Sequence, residues 1–103
     1  MTEDPRTIAS RNLRRLIDPK SIAVIGASPR EGSFGQRVLR NLNGFDGKVY
    51  PVNARYETLG DRQCFAGLGD LPGPVDCAVI VVGRDRVVEI VEDCAANGVG
   101  GAV

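Results

Sequence analysis

Residues 21–35 read Ser21-Ile22-Ala23-Val24-Ile25-Gly26-Ala27-Ser28-Pro29-Arg30-Glu31-Gly32-Ser33-Phe34-Gly35. The apolar run from Ile22 to Ile25 stops at Gly26, small and polar residues follow, and a helical pattern opens near Gly35. A strand that passes through such a loop into a helix N-terminus makes an anion cradle. Glycines allow close approach of the backbone, free N–H groups point inward, and the helix dipole is positive at that end. The expectation is a nucleotide-type ligand whose phosphates sit on the loop, with Gly26, Ala27, Ser28, Arg30, Gly32, Ser33, Phe34 and Gly35 as candidate binding residues.

The spacing bears on which nucleotide. A dinucleotide fingerprint G-x-G-x-x-G begun at Gly26 would need glycine at positions 28 and 31, where Ser28 and Glu31 stand. The loop to Gly35 is four residues longer than that fingerprint and carries a hydroxyl at its second key position. A longer loop wraps further around a pyrophosphate, and Ser28 adds a side-chain hydrogen bond. An ordinary βα turn with no ligand is the competing reading of the same residues.

The run L-I-D-P-K-S-I-A-V-I-G-A-S from Leu16 to Ser28, with K-V-Y-P-V-N from Lys48 to Asn53, resembles the N-terminal CoA-binding domain of NDP-forming acyl-CoA synthetases. That group includes ADP-forming acetate–CoA ligases and the succinyl-CoA synthetase alpha subunit. It is also related to bacterial protein lysine acetyltransferases with a synthetase-like region. The resemblance runs from Leu16 onward and implies an α/β, Rossmann-like domain with a parallel sheet that binds coenzyme A. It implies further ligase or ATP-grasp domains, or a subunit of the same enzyme, as partners in interconverting acyl-CoA, NDP and phosphate with carboxylate, CoA and NTP. Synthetases of this kind pass a phosphoryl group through a histidine, and this chain has none. The implied role is a CoA-binding module that is not catalytic alone. The alternatives are a CoA-responsive regulatory module of a lysine acetyltransferase, a stand-alone CoA-binding protein and, less favoured by Ser28, Glu31 and Asn53, an NAD-binding domain.

At 103 residues, 43% of them hydrophobic, the chain is long enough for one core, and a domain of this size buries roughly two-thirds of its unfolded surface. Thirteen basic residues balance thirteen acidic ones, so no general attraction to nucleic acid or to an anionic membrane is expected. No run approaches a membrane span, the N-terminus lacks a secretory signal, and the cytoplasm is the expected location. Cys64, Cys77 and Cys94 show no metal-ligand spacing. Cys77 and Cys94 read as small core residues.

Taken in order, residues 1–18 are expected to hold a helix over Thr7–Ile17, with Arg11, Arg14 and Arg15 away from its apolar side. Residues 19–103 form the binding domain. Strand Ser21–Ile25 leads through the cradle to a helix from about Ser33 to Leu42 with Val38, Leu39 and Leu42 inward and Phe34 beside them. Strand Lys48–Val52 completes a βαβ unit. After it, Asn53 and Arg55 suit the adenosine end of CoA, Arg55 as a partner for the 3′-phosphate, with Arg37 a further candidate cation. A small helix is expected over Phe65–Leu71 in an otherwise irregular stretch. Strand Cys77–Val82 ends at Gly83, and Val82 and Gly83 are candidates at the same sheet edge. The related domains place a proline there, so Gly83-Arg84 alters that wall of the pocket. A last helix, Asp85–Asn97, is expected to have Asp85 as N-cap and a buried stripe of Val87, Val88, Ile90, Val91, Cys94 and Ala95. Val99–Val103 begins a fourth main strand that is cut short, and the exposed edge that leaves favours pairing with another chain, a homo-oligomer included.

Overall fold

The computed structural model describes residues 18–103, and the helix expected over Thr7–Ile17 lies outside the described residues. The elements follow as β1 (Ser21–Ile25), α1 (Phe34–Asn41), β2 (Lys48–Val52), the short strands β3 (Thr58–Leu59) and β4 (Arg62–Gln63), a 3-10 turn at Leu68–Asp70, β5 (Cys77–Ile80), a second 3-10 turn at Arg84–Arg86, α2 (Val87–Ala96) and β6 (Gly101–Ala102).

The main sheet is parallel in the order β2-β1-β5-β6. The chain winds outward from β1 to β2 and then returns to the other side of β1. This is the doubly wound arrangement, in which the strand order reverses between β1 and β5 and ligands bind at the carboxyl ends of those strands. β1 is buried at all five positions, as a β-branched central strand must be when both faces are covered.

Alternation along β1 divides the core. Ile22 and Val24 face α1 and pack with Cys77, Leu59 and Cys64 beside Val38, Leu39 and Leu42. Ala23 and Ile25 face the other way and pack with Ala78, Val75, Ile90 and Cys94 of the α2 layer. The α/β, Rossmann-like architecture with a parallel sheet expected from the sequence is the one observed.

Several local expectations need correction. Strand β5 stops at Ile80 rather than Val82, although Val81 still donates from its N–H to the Ile25 carbonyl at 2.7 Å. The small helix over Phe65–Leu71 is only the turn at Leu68–Asp70. Phe65 is drawn into a parallel bridge with Val52, its N–H donating to the Pro51 carbonyl and its own carbonyl accepting from Asn53, both at 2.9 Å. The hairpin of β3 and β4 was not foreseen. Its two-residue turn is Gly60-Asp61, and Gly60 has φ +65°, a left-handed conformation that glycine supplies at little cost.

At α2, Asp85 is not the N-cap. A 3-10 turn closed by the Arg86 N–H on the Gly83 carbonyl, at 2.9 Å, precedes the helix and absorbs Asp85. Of the expected stripe, Ile90 and Cys94 are buried, while Val88 and Val91 are 70% and 46% exposed. Phe34 is 63% exposed. It occupies the first position of α1, at the carboxyl edge of the sheet, and does not join Val38, Leu39 and Leu42 in the core.

Candidate functional site

The loop between β1 and α1 is built by its own close contacts. Gly26 has φ +95°, and a Cβ there would strike the carbonyl oxygen of Val81, so this position needs glycine for both conformation and space. A Cβ on Gly35 would stand 2.7 Å from the Gly26 carbonyl oxygen. These two glycines let the start of α1 lie directly on the turn that leaves β1. Ser33 caps the helix, its Oγ accepting from the Gln36 N–H at 3.2 Å. Gln36 reaches back, its Oε1 accepting from the Gly32 N–H at 3.1 Å. The pair is a capping box displaced by one residue, since the N–H of Ser33 itself donates to the Arg30 carbonyl at 3.1 Å.

What remains after these bonds is a set of free donors. Among the described residues, the main-chain N–H groups of Ala27, Ser28, Glu31, Phe34 and Gly35 have no acceptor. Those of Phe34 and Gly35 are the first of α1, where the helix dipole is positive. The Ser28 hydroxyl accepts from the Arg30 N–H at 3.1 Å and keeps its own proton to donate.

Across the crevice stands the turn after β2. Asn53 donates from Nδ2 to the Ala27 carbonyl at 2.8 Å, and its Oδ1 accepts from the Arg55 N–H at 2.9 Å. Arg55 is exposed, and among the described residues its guanidinium meets no carboxylate, the ion pair found there being Lys20 with Asp18 at 3.5 Å. Between this turn and α2 opens a cavity of about 230 Å³, floored by Ile25, Gly26, Val52 and Val82 and walled by Leu68, Ile90, Arg86, Glu89 and Asp93. It lies at the carboxyl ends of β1, β2 and β5, on the switch point of the sheet.

Of the residues singled out from the sequence, Gly26, Asn53, Arg55 and Val82 line this cavity. Ala27, Ser33 and Gly35 shape the adjoining loop, while Arg30, Gly32 and Phe34 stand exposed on its outer side. Ser28 borders a second hollow, with Gln36, Arg40 and Arg62. Gly83 is exposed and does not line the main cavity. Sequence reasoning missed Arg86 and Glu89, which read as solvated helix charges. Their place, Arg86 as the N-cap of α2 and Glu89 in its first turn just after a strand end, was the available signal.

No group in or near the crevice is poised as a nucleophile. All three cysteines are free and buried. Burial pushes each thiol above its ordinary range, with Asp76 beside Cys77 and Asp93 beside Cys94 raising those two further. At Cys64, burial is the largest cause of the rise. Among the described residues no helix is long and apolar enough to cross a membrane. The site offers free N–H donors, a cation that meets no carboxylate among the described residues, and an apolar floor.

The sequence pattern of a CoA binding domain matches residues 20–103. The chain is 43% identical over 91 residues to the ADP-forming acetate–CoA ligase I of Archaeoglobus fulgidus, covering 88% of this chain and 13% of that protein. It is 39% identical over 94 residues to the alpha subunit of the ADP-forming acetate–CoA ligase I of Pyrococcus furiosus, covering 85% of this chain and 20% of that one. Among solved structures, an acetyl-coenzyme A synthetase of Ca. Korarchaeum cryptofilum in complex with phosphate and ADP superposes with a TM-score of 0.80 at 44% identity, over 84% of this chain and 19% of that one. The chain thus spans between about an eighth and a fifth of the length of these relatives. With the pattern matched over most of its length and the switch-point crevice in place, the chain belongs to the CoA-binding domain family that ADP-forming acyl-CoA synthetases carry.

Proposed function

We propose that this chain holds coenzyme A across the carboxyl edge of its sheet, as the CoA-binding module of an NDP-forming acyl-CoA synthetase. One observation carries the reading. The Gly26–Gly35 loop carries free N–H groups, Arg55 beyond β2 carries a guanidinium that meets no carboxylate among the described residues, and Asn53 bonds to both segments. A ligand with a pyrophosphate and a separate phosphomonoester needs donors at two such places.

In this reading the Ala27, Ser28, Phe34 and Gly35 N–H groups hold the pyrophosphate and Arg55 takes the 3′-phosphate. The adenosine enters the cavity over Val82 and Leu68, with Arg86 at its rim. The likeness to ADP-forming acetate–CoA ligases supports a ligase context, in which partner domains or a partner subunit form the acyl phosphate that the CoA thiol attacks. Nothing in this chain supplies that step, for it contains no histidine. Three free thiols suit a reducing compartment and support a cytoplasmic setting.

The test is calorimetric titration of the folded chain with CoA, dephospho-CoA and NAD. The expected result is CoA binding that weakens about tenfold for dephospho-CoA, and Arg55→Ala binding that no longer distinguishes the two, the size expected for losing one charge-assisted contact. A folded chain that takes NAD and ignores CoA would overturn the assignment.

A further inference from the structure

We infer that Asn53 is a positioning residue, a clasp that holds the phosphate loop and Arg55 in fixed relation and so couples recognition of the two ends of the ligand. The inference rests on the CoA reading given above. From the sequence Asn53 is expected to touch the adenosine end itself, and the geometry assigns its side chain a different task.

Both ends of the carboxamide are already engaged. Nδ2 donates to the Ala27 carbonyl and Oδ1 accepts from the Arg55 N–H. The flip is determined by the partners, because the amide nitrogen must meet a carbonyl and the amide oxygen must meet an N–H. The residue is anchored from behind as well. Its own N–H donates to the Phe65 carbonyl at 2.9 Å, and its carbonyl accepts from the Tyr56 N–H at 3.3 Å and from Cys64 Sγ at 3.5 Å. The neighbouring strand ends are tied together by the Gly26 N–H on the Val52 carbonyl at 2.9 Å.

The consequence for the loop follows from the peptide unit. In a trans peptide the C=O of one residue and the N–H of the next point in opposite directions. Asn53 draws the Ala27 carbonyl toward the turn after β2, and this aims the Ser28 N–H away from that turn, as a free donor of the cradle. At the other end, the bond to the Arg55 N–H closes an Asx-turn that fixes where the exposed guanidinium starts from. One side chain therefore orients a pyrophosphate donor and the cation assigned to the 3′-phosphate.

Two variants separate the two bonds. Asn53→Ala removes both. Asn53→Ser keeps an oxygen that can accept from the Arg55 N–H in the same kind of turn, but is too short to reach the Ala27 carbonyl. The measurements are titration of wild type, both variants, Arg55→Ala and the Asn53→Ala/Arg55→Ala double variant with CoA and dephospho-CoA, each chain first shown to be folded by circular dichroism. The expected result for Asn53→Ala is weaker binding of both ligands and a CoA preference that falls to that of Arg55→Ala, with no further fall in the double variant, since two residues acting as one unit are not additive. For Asn53→Ser it is about tenfold weaker binding of both ligands with the CoA preference of wild type retained.

A general loss of stability would weaken both ligands without touching that ratio. If Asn53→Ala keeps the wild-type preference for CoA while Arg55→Ala loses it, the clasp is wrong. Amide hydrogen exchange at Arg55 provides a reading that needs no ligand. Its N–H is expected to be protected in wild type and Asn53→Ser and unprotected in Asn53→Ala, and equal exchange in all three overturns the clasp. A wild-type chain that shows this protection pattern and binds no CoA overturns the CoA reading instead.

Discussion

Gly35 shows at a single residue how two familiar effects compete. Alanine in place of glycine inside a helix is ordinarily favourable by about 1 kcal/mol, because the unfolded chain loses less freedom. Here the added Cβ would meet the Gly26 carbonyl oxygen at 2.7 Å, with Ala27 Cα and Ser28 N at 3.3 Å. Those are backbone atoms of a turn that Gly26 itself already needs, so they cannot yield as a flexible side chain would. Overpacking of this kind costs about 1–3 kcal/mol, which outweighs the gain. Gly35→Ala is expected to lower the urea midpoint and to weaken CoA binding, while Gly44→Ala, where a Cβ meets nothing within 4 Å, changes stability by less than about 0.5 kcal/mol. A stabilised Gly35→Ala chain would show that the loop is looser than this contact requires. The buried cysteines make a second test at this scale. Their thiols ionise less readily in the folded chain than in the unfolded one. A group raised in this way stabilises the fold below its unfolded pKa, and that stabilisation fades as pH climbs through the folded value. Stability is thus expected to fall above the ordinary thiol range, about pH 8.5. At neutral pH a thiol reagent should label all three only after denaturant is added, and prompt labelling of the native chain would contradict the burial.

For the elements, helix α2 carries the clearest lesson. Its sequence from Val87 to Ala95 has apolar residues on two adjoining lines, one through Ile90 and Cys94 and one through Val88, Val91 and Ala95. Periodicity alone gives both lines equal claim to the core. The structure buries only the first, against Ala78 and Val75, because a helix laid on a sheet touches it along one line. Ile90→Ala is therefore expected to cost about 2–5 kcal/mol and Val88→Ala less than about 0.5 kcal/mol, measured as shifts in chemical unfolding midpoints. Equal losses at the two positions would mean that the outer line is covered in solution. Other elements were legible for opposite reasons. β1 announces itself because Ile22 to Ile25 are apolar without a break and Gly26 ends them. The hairpin of β3 and β4 hides because two residues per strand are too few to show alternation, and its Gly60-Asp61 turn stands among other glycines. The Phe65 bridge was invisible for a further reason. It depends on Val52, thirteen residues earlier, and no local pattern encodes such a pairing.

Over the whole molecule, sheet order sets both where the site lies and how the fold comes apart. The βαβ unit could be read from strand spacing, since a parallel pair needs a crossover and a right-handed one leaves few arrangements; the return of β5 to the other side of β1 comes from the structure. The far wall of the crevice could not be read from the sequence either, because Arg86 and Glu89 reach it only when α2 is set back against the sheet. The same topology ranks the strands. β1 is paired on both sides along its length, to β2 from Ser21 to Ile25 and to β5 from Ile22 to Ile25, and is buried throughout. β6 is two residues long, pairs only with β5 among the described residues, and has Ala102 exposed. Native-state exchange is governed by global unfolding for the first kind of strand and by local opening for the second. Amides of Ala23, Val24 and Ile25 are accordingly expected to exchange slowest, with a free energy that follows the global value, and those of Ala102 and Val103 far faster. Ile90→Ala supplies the check. It should reduce the protection of Ala23–Ile25 by the full amount it takes from global stability, because those amides open only when everything does. At Ala102 the change should be smaller, since local opening of the edge remains the quicker route. If β1 kept its protection while the unfolding midpoint fell, the two faces of the sheet would be separate cooperative units, and the single core drawn through Ala23 and Val24 would be wrong.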